Sequence, residues 1–212
     1  MSQDVCHTEL REKTRQLLQG PLKHIRAAAL AAARVPLVAV TVSQAVAQEC
    51  PSGGCPPPAV PSPCDFVTSG GFVATDFSAM ANFGAHGGCK RGAFWGHVNY
   101  VDHGTGDHVD STQITGYLTD PAGPPNNRDI CGWARVNGAG PLVRFRVRLI
   151  DNGDFGTSDQ FGIRLDTGYF VTTRNLGVGG PGGGNVELHS PNPSTTAPDF
   201  PPTDAACGVG EP

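Results

Sequence analysis

Three groups of side chains in this chain have types and spacings suited to chemistry. The first runs Asp151-Asn152-Gly153-Asp154-Phe155-Gly156-Thr157-Ser158-Asp159. Carboxylates at Asp151, Asp154 and Asp159, with an amide and glycines between, are the donors a hard cation takes. Calcium wants roughly six to eight oxygens, and backbone carbonyls complete such a set. The order departs from the EF-hand loop, which needs acidic or amide residues at its first, third and fifth places. Turn chemistry alone also accounts for Asp, Asn and Gly between two strands. The second group is His97, Asp102, His103, Asp107, His108 and Asp110. Imidazole with carboxylate suits zinc or another transition metal, and a hairpin here brings His103 and His108 near each other. No standard ligand motif is present, and a solvated hairpin tip explains the same residues. The third group is Arg144, Arg146 and Arg148, alternating with Val143, Phe145, Val147 and Leu149. Such a stripe can engage an anionic glycan or an acidic partner, or simply form the solvent side of a strand.

Other signatures are weaker. Trp95 and Trp133 can stack on sugars, but a strand Trp more often packs in or beside the core. The glycine run at 177–184 lacks the Lys-Ser/Thr and the strand-to-helix setting of a phosphate loop. No Gly-x-Ser-x-Gly elbow occurs. Beyond residue 47 glutamate is confined to Glu49, Glu187 and Glu211, and no carboxylate pair stands out for glycoside hydrolysis.

The elements that position these residues read as strands. Glycine (29) and proline (19) are abundant among the 212 residues, and both favour turns over helices. Period-two or β-rich runs recur at 66–75, 80–85, 92–103, 108–118, 132–137, 143–151, 160–165, 169–173 and 185–189. The arginine-bearing run is the clearest. Strict alternation buries one face and places the three arginines on the other, as antiparallel sheets allow. Around 97–108 a hairpin is expected, with Gly104-Thr105-Gly106-Asp107 as its turn and Val98 and Tyr100 on one face. No amphipathic helical pattern interrupts the run of strands. The expected fold is all-β, an antiparallel β-sandwich or partly open barrel in a single domain.

The N-terminal 47 residues read as a cleaved signal peptide. Lys23 and Arg26 precede an Ala-rich stretch, an apolar run at 35–42 and then Ala45-Val46-Ala47. The apolar run is too short for a membrane span. Residues 1–21 are polar and long for such a leader, which suggests a true start near Leu22. After cleavage, Cys50, Cys55, Cys64, Cys89, Cys131 and Cys207 remain. An even count in an exported chain implies a disulfide framework. The pairing expected is Cys50–Cys55, Cys89–Cys131 and Cys64–Cys207. Beyond residue 47, sixteen acidic and nine basic residues leave a net charge of −7. That balance argues against nucleic-acid partners. Residues 48–63 read as a Pro-rich linker, 64–189 as the β-domain and 190–212 as a Pro-rich tail.

From Phe66 to His189 the chain resembles the post-COAP domain of bacterial secreted and surface proteins. The matching pieces are Phe66-Val67-Thr68-Ser69-Gly70-Gly71, Ala81-Asn82-Phe83-Gly84 and Gly96-His97-Val98-Asn99-Tyr100-Val101-Asp102. They continue with Ser111-Thr112-Gln113-Ile114-Thr115-Gly116-Tyr117 and Phe145-Arg146-Val147-Arg148-Leu149-Ile150-Asp151. Asp159-Gln160-Phe161-Gly162-Ile163 and Gly182-Gly183-Gly184-Asn185-Val186-Glu187-Leu188-His189 complete the order. The resemblance implies an all-β module of exported proteins and brings no catalytic residues. The expected function is therefore non-catalytic: a structural, adhesive or interaction role at the cell exterior, toward an extracellular protein or glycan. A carbohydrate- or calcium-binding module and a secreted hydrolase are the alternatives.

Overall fold

A computed structural model describes residues 57–153, 158–176, 183–199 and 207–212. The expected signal segment, Cys50, Cys55 and Asp154 lie outside the described residues. The all-β expectation holds. Among the described residues nine strands form one antiparallel sheet: β1 (Phe66–Ala74), β2 (Met80–Lys90), β3 (Ala93–Asp102), β4 (His108–Leu118), β5 (Asn127–Val136), β6 (Ala139–Ile150), β7 (Gln160–Leu165), β8 (Phe170–Asn175) and β9 (Gly183–His189). Each corresponds to one of the nine runs read from the sequence. β5 begins five residues earlier than expected, because Asn127 and Arg128 pair with Ile150 and Leu149.

Strand order is β8-β7-β6-β5-β4-β3-β2-β1-β9. Sequential neighbours therefore pair as a meander, and only β9 returns to the far edge beside β1. The sheet is strongly curled. β2 and β7 stand five places apart, roughly 24 Å on a flat sheet, yet the rings of Phe83 and Phe161 stack at 4.0 Å. The inner face holds the apolar core, including Val67, Phe83, Val98, Tyr100, Tyr117, Ile130, Phe145, Val147, Phe161, Ile163 and Val186.

A curled open sheet leaves two edges, which would otherwise template association. Carboxylates cover them. On β8, Thr172 N–H donates to Asp76 of the β1–β2 turn at 2.7 Å, and Arg174 pairs with the same carboxylate. On β9, Val186 N–H donates to Asp159 at 2.7 Å and Leu188 N–H to Asp151 at 2.8 Å.

The disulfides differ from the expected pairing. Cys64 is bonded to Cys89 and Cys131 to Cys207. Cys89–Cys131 is excluded because the two residues take opposite faces of the sheet: Cys89 belongs to the inner core, Cys131 to a separate cluster with Leu118 and Cys207. Cys64–Cys207 is excluded by the faces. Cys64 belongs to the inner core, while Cys207 packs with Cys131 and Leu118 in a separate cluster. Register explains the observed pair: Phe66 lies opposite Gly88, so Cys64 arrives beside Cys89, and Cys89 N–H donates to Asp65 C=O.

Candidate functional site

The residues singled out for chemistry go to separate places. Asp151 and Asp159 are committed to backbone. Asp159 is fully buried; one oxygen accepts Asn152 N–H at 2.8 Å and the other accepts Val186 N–H. Asp151 accepts Gly153 N–H at 2.9 Å and Leu188 N–H. The loop suggested for calcium thus supplies the acceptors that finish the β9 edge. The three histidines suggested for a transition metal take different partners. His97 lies against Asp110 and Ser111, His103 against Asn82, and His108 against Asn99. Among the described residues no group of three or more metal-ligating side chains converges.

The arginine stripe is corrected. The three arginines share one face of β6, as alternation requires, but that face is not solvent. Arg146 is 1% exposed and Arg148 8% exposed. Residues 207–212 cross the outside of the sheet and cover it. Arg148 donates to both oxygens of Asp129 at 2.8 Å, to Asp120 at 2.7 Å and to Glu211 at 3.0 Å. Arg146 donates to Asp129 at 2.9 and 2.5 Å. Arg144 lies over the Trp133 ring, 4.3 Å from its centroid. Burial works against the charge on Arg148, but the hydrogen bonds and charge of Asp129 and Glu211 hold its pKa above the ordinary arginine value. Burial and the neighbouring Asp120 raise Glu211, even with Arg148 beside it.

Other buried polar groups are equally occupied. Asp65 accepts Tyr117 O–H at 2.6 Å and is paired through two nitrogens with Arg128, at 3.0 and 2.5 Å. Tyr169 donates to Asp102 at 2.7 Å and meets the Tyr100 hydroxyl at 2.6 Å. Burial pushes Tyr100, Tyr117 and Tyr169 far above the ordinary tyrosine value, so these phenols stay protonated as donors.

Among the described residues, what remains open is the other half of the outer face, over β9, β1, β2 and β3. Register builds two rows across it. One is Glu187, Thr68, His86 and His97; the next is His189, Phe66, Gly88 and Trp95. Gly88 is required between its neighbours, because a Cβ there would lie 2.4 Å from Phe66 Cβ and 2.7 Å from Asp65 O. With no side chain at Gly88, Phe66 stacks on His189 at 4.3 Å and faces Trp95 at 6.2 Å. Trp95 is fixed by its Nε1–H, which donates to Cys89 C=O at 3.2 Å. Burial and then the neighbouring His97 lower the pKa of His86.

At the end of this face is a cleft of about 200 Å³ lined by Phe66, Lys90, Trp95, Asn192, Ser194 and Thr195. Residues 190–199 form its outer wall. They dock on the β2–β3 turn, where Arg91 and Gly92 both have positive φ and donate to Ser194 and Thr196 C=O. Lys90 Nζ stands 5.7 Å from the Trp95 ring centroid. Trp95 was visible in the sequence as a candidate for stacking. Its neighbours were not, because they come from β1, β2 and a segment read as a tail.

Comparison with family models, with curated proteins and with solved structures returned no match.

Proposed function

We propose that this chain is an exported, non-catalytic β-module that works by binding at the cell exterior. The observation that carries this reading is the division of the outer face. Residues 207–212 cross the half over β5–β8, while among the described residues the half over β9–β3 stays open and carries Trp95, Phe66 and three histidines. Half-buried aromatics grouped on a rigid sheet suit recognition. The buried carboxylates Asp65, Asp102, Asp120, Asp129 and Asp159 are all spent on holding strands together, which supports a role without acid–base chemistry. Two intramolecular disulfides fit an oxidising compartment. Among the described residues no helix is long and apolar enough to cross a membrane. The resemblance to the post-COAP domain of bacterial secreted and surface proteins points the same way.

The test is to produce the full chain in a secreting host, locate it, and measure its retention on envelope material. Export with an N-terminus near Gln48 and saturable retention are the expected results. Cytosolic residence with free thiols, or no retention, overturns the reading.

A further inference from the structure

We infer that the cleft between Trp95 and Lys90 is a saccharide site for the carboxylated pyranose ring of an acidic polysaccharide. This rests on the binding reading above and names the ligand class. Size comes first. About 200 Å³ lies below the roughly 300–1,000 Å³ of sites for drug-sized ligands. The cleft therefore takes a single ring, with a chain continuing out over the open face.

The lining selects the chemistry. Trp95 is half-buried and fixed, and it offers an aromatic surface of the kind that takes the C–H face of a sugar. The protons left to offer beside it belong to Lys90 and Asn192, because the Ser194 and Thr195 hydroxyls already donate to Asn192. Lys90 Nζ makes no ion pair among the described residues and lies over the indole. Asn192 spends its Oδ1 on Ser194, accepting from N–H at 2.9 Å and from Oγ–H at 2.6 Å. That fixes the amide and leaves its Nδ2 hydrogens without a partner among the described residues. Among the described residues no carboxylate lines the cleft. The nearest in sequence, Asp65, is buried and paired with Arg128. Arg91, exposed at the tip of the same turn, is a second cation next to Lys90 in the chain. An acidic chain has thus placed its one described lysine, unpaired, beside an aromatic ring. Donors beside an aromatic surface match a ring carrying a carboxylate and acceptor hydroxyls.

The test titrates the full exported chain with a galacturonate oligomer and with a neutral galactose oligomer of equal length. Binding is followed by calorimetry and by Trp fluorescence. The galacturonate oligomer should bind, and the neutral one at least about tenfold more weakly. Lys90→Gln, a surface change that leaves the fold intact, should weaken the acidic oligomer about tenfold and leave the neutral one unmoved. Trp95→Ala should weaken both; Trp95→Phe, which keeps a ring, covers a folding failure of the alanine variant. Equal binding of the two oligomers, indifference to Lys90→Gln, or binding of neither overturns the proposal. Retention on envelope material that survives both substitutions would refute this site alone. Loss of retention by the unsubstituted chain would refute the wider reading.

Discussion

Asp159→Ala tests whether the acidic loop closes the sheet edge or holds a cation. Asp159 is fully buried, and its two oxygens accept the amides of Asn152 and Val186. Truncation strands both donors. Val186 N–H is buried, so it bears most of the penalty of about 1–3 kcal/mol for an unsatisfied buried group. Asn152 N–H is only partly buried, and water replaces some of its bond. The bonds lost are to a carboxylate, which makes them roughly twice as strong as neutral ones. Together these give a loss of about 2–4 kcal/mol. For a domain of this size that is about 5–15 °C in Tm. Asp159→Asn keeps one acceptor and turns an amide NH₂ toward the other donor, so it should fall between wild type and alanine. Denaturant unfolding and thermal melts of the three proteins measure this, each run with and without millimolar calcium. Calcium should leave all three midpoints where they are. A loss under about 1 kcal/mol for the alanine variant, or a wild-type Tm that climbs with calcium, would refute the edge-closure argument.

The remaining predictions concern the staples, the arginines and the histidine row. Peptide mapping of the unreduced protein should recover Cys64 linked to Cys89 and Cys131 linked to Cys207; a Cys89–Cys131 peptide would contradict the opposite faces those two residues take. Cys207→Ser opens a loop of 76 residues and should cost about 2–5 kcal/mol in chemical denaturation. Asp129→Ala leaves Arg146 and Arg148 without their shared carboxylate and should cost about 3–5 kcal/mol in denaturant unfolding. His86 has a depressed pKa in the folded protein. Its contribution is therefore complete above the unfolded value near 6.5 and is lost as pH falls below it, because the unfolded chain then binds more protons. His86→Gln should flatten the dependence of Tm on pH between about 7.5 and 5; an unchanged slope would reject that assignment.

The strands were legible because period two is written directly into the side chains. Val143, Phe145, Val147 and Leu149 alternate with arginines, and each group takes its own face. What alternation does not encode is the cover on the second face. Arg146 and Arg148 were expected in water, yet Asp129 comes from the neighbouring strand, Asp120 from the β4–β5 connection and Glu211 from a segment 63 residues further on. No local pattern announces partners at that distance. The same holds for the cysteines: an even count points to pairing, but the face of the sheet that each one takes decides the partner.

This limit also explains why the acidic loop looked like a cation site. Asp151 and Asp159 sit eight residues apart, with Gly, Asn and Ser between them, the composition of both a turn and a ligand loop. The two readings separate on where the donors come from. In the fold the oxygens meet Val186 and Leu188 N–H from β9, the strand that returns to the far edge beside β1. A meander that curls without closing must satisfy the outward amides of its last strand, and a pair of carboxylates two residues apart along that edge does so without a tenth strand. By the same logic, the half of the outer face left open among the described residues holds, at the cleft walled by residues 190–199, a half-buried Trp95 and a Lys90 without an ion pair among those residues. The binding we propose lies there, rather than at the acidic loop or the arginine stripe, because those carboxylates and arginines are engaged within the fold whereas Lys90 makes no ion pair among the described residues.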